Sequence, residues 1–428
     1  MTAASIGEEM HALAARLQPL RRSLTGEGVR QTLAVLRELA PIAVHEVASG
    51  TRVFDWTVPR EWNLRQAWIR DPAGRTVVDA ADHDLHVLGY SVPVRATLPL
   101  AELLAHLHSL PDHPDWIPYR TAYYAETWGF CLPHRRLLAL PEGEYEVCID
   151  ATLADGHLTY GELHLPGEEE AEYLFSTHLC HPALANDNLS GIAVLAFLAR
   201  ELQARPRRRF SYRFLFVPGT IGAITWLARN EERLGRVRGG LVAAGLGDPG
   251  GFTYKRSRRG DAEIDRAVEC VLRDAGEAFA VEPFAPFGYD ERQYNSPGIG
   301  LAVGALTRTP WGRYPEYHTS ADDLAYVTPR QLGGALAAYR AVVDVLEGNR
   351  RYLSLNPKCE PQLGRRGLYG TLGGGQGDRE RELALLWVLN LADGDHDLLA
   401  VAERSGLPFA AVRAAADTLA AVELLREV

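Results

Sequence analysis

The sequence predicts an α/β fold: a mixed, mostly parallel sheet with helices on both faces, joined to a small β-rich unit and a C-terminal winged helix. Three observations carry this prediction. Between about 160 and 345, short apolar runs alternate with amphipathic helical patterns, the mark of strands linked by crossover helices. Between about 45 and 150 the runs become short, β-branched and aromatic, with Pro and Gly between them. After 376, three short helical patterns and a final apolar stretch have the length and order of a winged helix.

In chain order, residues 5–18 and 27–40 carry apolar positions at three- and four-residue spacing and read as two helices. Thr25 is placed to cap the second. "TRVFDWTVP", "RQAWIRD", "RTVVDA" and "YEVCIDATL" are the strands of the β-rich unit. In the α/β region the strand candidates are Tyr173–Ser176, Arg213–Val217, Leu241–Leu246 and Ile299–Val303, with helices expected over 188–203, 221–233, 261–276 and 329–346. A connector with Pro357, Pro361 and "GTLGGGQG" spans 351–376, and the winged helix takes 377–428.

Bulk properties exclude several function classes. The chain has 428 residues, 46% hydrophobic and 23% charged, enough for a large core with one or two appendages. A net charge of −10 argues against a general nucleic-acid binder, whose affinity rests on clustered Lys and Arg. The expected use of the winged helix is packing or dimerisation, since "AVRAAADTLAAVE" offers only Arg413 as a basic group. Five scattered cysteines without a CxxC pair give neither a disulfide framework nor a thiolate zinc site. The start lacks a signal-peptide pattern, and no apolar run approaches the roughly 18 residues of a membrane span. The expectation is a cytoplasmic protein with no membrane partner; self-association is left open.

Four segments fall beside expected strand ends, where ligands bind in open α/β sheets. "STHLCHPALANDNLSG" (176–191) holds His178, His181 and Asp187 between a strand and a helix. Imidazole and carboxylate suit zinc, while Asp187 or Asn188 would equally serve as a helix cap. "GYDERQYNSPG" (288–298) strings together Asp290, Glu291, Arg292, Gln293 and Tyr294, as a site or as a solvated loop. "RYPEYHTSADDL" (313–324) carries Glu316 and His318, with Asp322 or Asp323 placed to orient the imidazole. "AAGLGDPGG" (243–251) ends in Asp248, a ligand or an Asx turn.

Together with "SLTGEGVRQTL", "GTRVFDWTVPREWN", "YRTAYYAETWGFC" and "YKRSRRG", these motifs resemble bacterial aminopeptidase-like proteins of unassigned function over nearly the whole chain. The resemblance implies a zinc-peptidase-like core formed by 1–45 and 150–350, interrupted by an inserted β-rich domain at 46–149. More distantly, the core is similar to the co-catalytic zinc aminopeptidases. That likeness implies metal ligands at His178, Asp187 (bridging), Asp248 and His318. One departure stands out. The Glu-Glu pair of those enzymes should follow the strand Arg213–Val217, where this chain reads "PGTIGA", with Gly219 and Thr220 in the two places. The expectation is therefore one zinc ion, or two; His178, Asp187 and His318 suffice for a one-zinc site, and whether His181 is a substitute ligand is left open. The candidate general bases are Glu291 and Glu316. Arg292 and Tyr294, with Arg120 and Tyr124 from the insertion, are expected to bind a small-molecule or short peptide-like substrate. Three readings compete: a zinc-dependent amide hydrolase acting on a small aminoacyl conjugate, an altered descendant that only binds a small molecule or partner, and a DNA-binding regulator.

Overall fold

The computed structural model describes residues 3–368 and 376–428. The glycine-rich 370–375 of the expected connector lie outside the described residues. The chain divides into two compact units, one of residues 1–260 with 280–337, the other of 261–279 with 338–428. Among the described residues, no helix is long and apolar enough to cross a membrane, and all five cysteines are free.

The first unit is built on an eight-stranded sheet. Its strands are β1 (Ala43–Ala48), β2 (His157–Leu165), β3 (Glu172–His178), β4 (Ser211–Val217), β5 (Val237–Ala243), β6 (Phe252–Lys255), β7 (Phe279–Glu282) and β8 (Val303–Thr307), in the spatial order β1-β2-β4-β3-β5-β8-β6-β7. The central strands β4, β3, β5 and β8 are parallel; β1, β2 and β6 join antiparallel. Strands β3 and β4 are buried along their whole length, as continuous apolar runs require when both faces are covered. Helix Gly191–Ala204 packs on β3 and β5, and Ala3–Leu17 packs on that helix.

Two expected strands shift for local reasons. Residues 299–301 are spent on turn bonds, Ile299 N donating to Ser296 O at 3.0 Å and Leu301 N to Tyr294 O at 2.9 Å, so β8 starts only at Val303. The strand expected over 241–246 ends at Ala243, because Gly245 takes a left-handed φ of 59°. Thr25 does not cap the second helix (Glu27–Leu36): its hydroxyl bonds Tyr90 at 2.6 Å and the Trp62 amide at 3.0 Å.

At the other end of the sheet from the candidate site, Arg213 of β4 is buried and makes bonds of 2.9 and 2.8 Å to Glu172 of β3, with a further contact to Glu162 of β2. Burial pushes the Glu172 carboxyl up, but His164 and Arg213 outweigh it and hold it at about 2. The folded value is depressed, so this pair's stabilisation is present above the ordinary value of 4.5 and is lost as pH falls through about 2. Glu172→Ala should cost about 2–3 kcal/mol at neutral pH, because it removes two charged hydrogen bonds from a buried guanidinium that then keeps only Glu162. Urea denaturation measures this, and the gap to the parent should narrow below the ordinary carboxylate range.

Between β1 and β2 lies a four-stranded antiparallel sheet in the order Thr76–Asp79, Glu61–Arg70, Glu144–Ala154, Val94–Pro99. Val147, Ile149 and Ala151 alternate inward from the third of these strands. A two-stranded hairpin, Arg52–Val53 with Trp56–Thr57, stands beside it.

In the second unit, helices Gln376–Leu391, Leu398–Ser405 and Phe409–Ala421 accompany a three-stranded sheet of Arg351–Ser354, Asp393–Asp397 and Leu425–Glu427. The first of those strands lies in the segment expected to be connector. Arg266, on helix Glu263–Ala275, ties Asp397 and Glu403. Arg413 is committed to Asp417 at 2.9 Å and to the Gly348 carbonyl at 2.6 Å.

Candidate metal centre

Strand β3 runs from apolar Tyr173 and Phe175 to His178 at its carboxyl end, so the sheet itself presents this imidazole. The chain then turns through 185–190 before helix Gly191–Ala204, and this turn carries Asp187. Its position is fixed from the segment 313–324. The Asp322 carboxylate accepts the Asn186 amide at 2.5 Å and the Asp187 amide at 2.9 Å. Asp322 thus clamps the loop backbone, whereas Asp323 accepts the amides of Ala325 and Tyr326. Neither residue is bonded to the His318 ring as expected. Burial pushes the Asp322 carboxyl up to about 8, although its bonds to the Asn186 and Asp187 amides pull the other way.

Asp187 does not cap the helix. One of its oxygens meets His178 Nε2 at 2.8 Å and the other meets His318 Nε2 at 3.0 Å. Burial alone would raise this carboxyl, but the imidazoles of His181, His178 and His318 outweigh it and hold it well below the usual range. His178, His181 and Asp187 are all buried, and their ligand atoms lie within 4.8 Å of one another. Burial drives the His181 imidazole down to about 3, so it is neutral with a lone pair to give. The His181 and His318 rings are 5.3 Å apart. His318 has a left-handed φ of 56°, a costly conformation for a non-glycine residue. It stacks on Tyr317 at 3.9 Å. His318 Nε2 is buried and, despite its nearness to Asp187, has no hydrogen-bond partner of acceptable angle.

His178, His181 and Asp187 open into a cavity of about 110 Å³ whose walls include Tyr289, Trp311, Tyr314, Tyr317 and Phe287. The aromatic wall was not read from the sequence, although "GYDER" and "YPEY" carry three of its tyrosines. From the other side, the β-rich segment reaches the site by Tyr119. Tyr119 N donates to His318 O at 2.8 Å, and its ring stands edge-on to His181 and to His318, each at 5.0 Å.

The structure places the remaining expected residues elsewhere. Asp248 is buried, but Asn186, Gly250 and Thr309 donate to its carboxylate at 3.1, 2.9 and 2.6 Å, the Gly250 bond closing an Asx turn. Glu291 is buried in an ion pair with Lys255 at 2.8 Å and takes the Tyr289 amide. Lys255 also donates to the Phe287 carbonyl at 2.8 Å, so the pair shapes the 287–289 loop rather than facing the cavity. Glu316 is half-buried and does not line the cavity. Tyr294 is buried, its hydroxyl bonded to Ser176 at 2.8 Å, while Arg292 and Arg120 are exposed. Tyr124 is 50% exposed and donates to the Thr57 carbonyl. Beside Glu291, Asp290 is fully buried with neither carboxylate oxygen hydrogen-bonded, and burial with the Glu291 charge pushes it up to about 8.

The missing Glu pair has a structural counterpart. Tyr289 packs directly on Gly219, where even a methyl group would fall inside the ring. Its ring also lies 4.4 Å from that of His178, and its hydroxyl is 3.3 Å from Cys180 Sγ. The tyrosine fills the space a side chain at 219 would need.

Comparison with known proteins follows the same lines. A family described as a domain of unknown function, DUF4910, matches residues 11–349, and a winged helix-turn-helix family matches 350–427. A Clostridium acetobutylicum protein, provisionally named a polysaccharide biosynthesis protein with an aminopeptidase-like domain, is 49% identical over 420 residues, which are 98% of this chain and 96% of the relative. A crystal structure from Clostridium acetobutylicum, provisionally named a peptidase, aligns with a TM-score of 0.95 at 48% identity, over 100% of this chain and 97% of the other. The zinc aminopeptidase BSAP of Bacillus subtilis aligns with a TM-score of 0.56 at 13% identity, over 79% and 94% of the two chains, a likeness of fold alone. This chain belongs to the DUF4910 family, with an aminopeptidase-like α/β fold and a C-terminal winged helix-turn-helix.

Proposed function

We propose that this chain is a zinc-dependent hydrolase of an amide bond in a small aminoacyl conjugate. One observation carries the reading: the buried Asp187 carboxylate faces His178 with one oxygen and His318 with the other, beside a neutral His181, in a cavity at the carboxyl end of a central strand. The donor set fits zinc, which favours imidazole nitrogen and carboxylate oxygen. The unpartnered, buried His318 Nε2 supports the same conclusion, since a cation would satisfy it.

His178, His181, Asp187 and His318 would hold the ion. When bound, it supplies Lewis acidity toward a scissile carbonyl and a water acidified toward neutrality. The chain's other residues position the substrate. The aromatic wall excludes water and packs on the apolar part of a ligand. Burial keeps the Tyr289 and Tyr317 hydroxyls protonated, so both are available as donors to a carbonyl oxygen.

A second reading, an altered descendant that binds without hydrolysis, is favoured by the packing of Tyr289 on Gly219, which takes the place of the usual Glu pair. A screen of aminoacyl amides with zinc and with a chelator separates the two. The hydrolase reading expects turnover that the chelator abolishes and zinc restores. Zinc binding with no turnover of any aminoacyl amide would overturn it in favour of the second.

A further inference from the structure

A second cavity, of about 210 Å³, shares no lining residue with the metal cavity. Tyr90, Tyr123 and Tyr124 form its walls, with Arg60 and Glu126 among the residues lining it. The adjoining hairpin presents Trp56, 47% exposed, its ring 5.8 Å from that of Tyr124. The Tyr124 hydroxyl donates to Thr57 O at 3.1 Å, which holds the two aromatic faces as a fixed, tilted pair. Arg60 and Glu126 meet at 2.5 Å, both exposed. Such an exposed pair adds little to folding, and half-exposed Trp and Tyr rings leave apolar surface in water.

We propose that this cavity binds a neutral hexopyranose unit. A pyranose ring offers apolar C–H faces, which stack on Trp56 and Tyr124, and an equatorial belt of hydroxyls, which both donate and accept. Arg60 supplies donors and Glu126 acceptors, within reach of one another. The pair is neutral as a whole, so it does not select a phosphate or a carboxylate. The volume is below the roughly 300 Å³ at which cavities for drug-sized ligands begin, and so suits a single ring. Tyr123 links the cavity to the metal centre: its hydroxyl is 3.2 Å from that of Tyr119, which stands against His181 and His318. If the hydrolase reading holds, the sugar is the part of the conjugate that this cavity anchors. The sugar site itself does not depend on that reading.

The test is saturation-transfer NMR on the full chain with the methyl glycosides of glucose, galactose, mannose and N-acetylglucosamine, and uridine monophosphate as an anionic probe. At least one glycoside should receive transfer, and uridine monophosphate none. Trp56→Ala or Tyr124→Ala should weaken binding about tenfold, with circular dichroism confirming the fold. His318→Ala, at a residue that does not line this cavity, should leave binding unchanged. The proposal is overturned if no glycoside receives transfer, if transfer survives both aromatic replacements, if uridine monophosphate binds better than the glycosides, or if His318→Ala abolishes the signal.

Discussion

Zinc should be lost from Asp187→Asn. The replacement keeps shape and volume, so the turn held by Asp322 should still form, but the charge that faces His178 and His318 is gone. Removing residues that merely support a metal ligand costs about 10- to 100-fold in affinity, and removing a ligand held from both oxygens should cost at least roughly 100-fold. Metal analysis of protein dialysed against trace zinc measures the loss directly. His318→Ala tests the opposite side of the carboxylate without touching the loop. Asp322→Asn is the graded control: it retains an acceptor for one backbone amide and loses the other, so it should fall in the 10- to 100-fold range. Full zinc occupancy in Asp187→Asn or in His318→Ala would remove the basis of the metal assignment, whatever activity the parent has.

The legible part of this protein was the part governed by local pattern. Strand β3 and helix Gly191–Ala204 follow from an apolar run and from Leu189, Ile192, Leu195, Leu198 and Leu202 at helical spacing. Once that strand and helix were set, His178 and Asp187 had to lie at the strand's carboxyl end. What pattern could not supply was the direction of side chains in irregular segments. Asp248 and Glu291 look like His178 in a sequence, polar residues at a strand's edge, yet both are consumed by neighbours brought in from 36 to 62 positions away. Tyr294 points down into the sheet to Ser176, while Tyr289, five positions earlier, lines the cavity. The aromatic segment of the insertion was expected to reach the site through Arg120 and Tyr124. It does so through Tyr119 because residues 117–119 pair along 318–320, which turns the later residues outward.

Gly219 gives the other large expectation. Gly219 is buried, and a methyl group there would overlap the Tyr289 ring. Tyr289 has little room to retreat, since its ring contacts His178 and its hydroxyl lies against Cys180. Gly219→Ala should therefore destabilise the fold by about 1–3 kcal/mol, the cost of overpacking a filled interior. Tyr289→Ala alone should also destabilise, because it leaves a cavity. The two effects should not add. In the double replacement the methyl at 219 enters space the ring has left, and a coupling of about 1 kcal/mol or more should appear in a double-mutant cycle by chemical denaturation. Additive losses would mean that Tyr289 does not occupy the place of the absent side chain. If the coupling is found, the absence of a Glu at 219 is not a simple deletion. The space beside His178 that a side chain at 219 would take is then filled by a buried phenol.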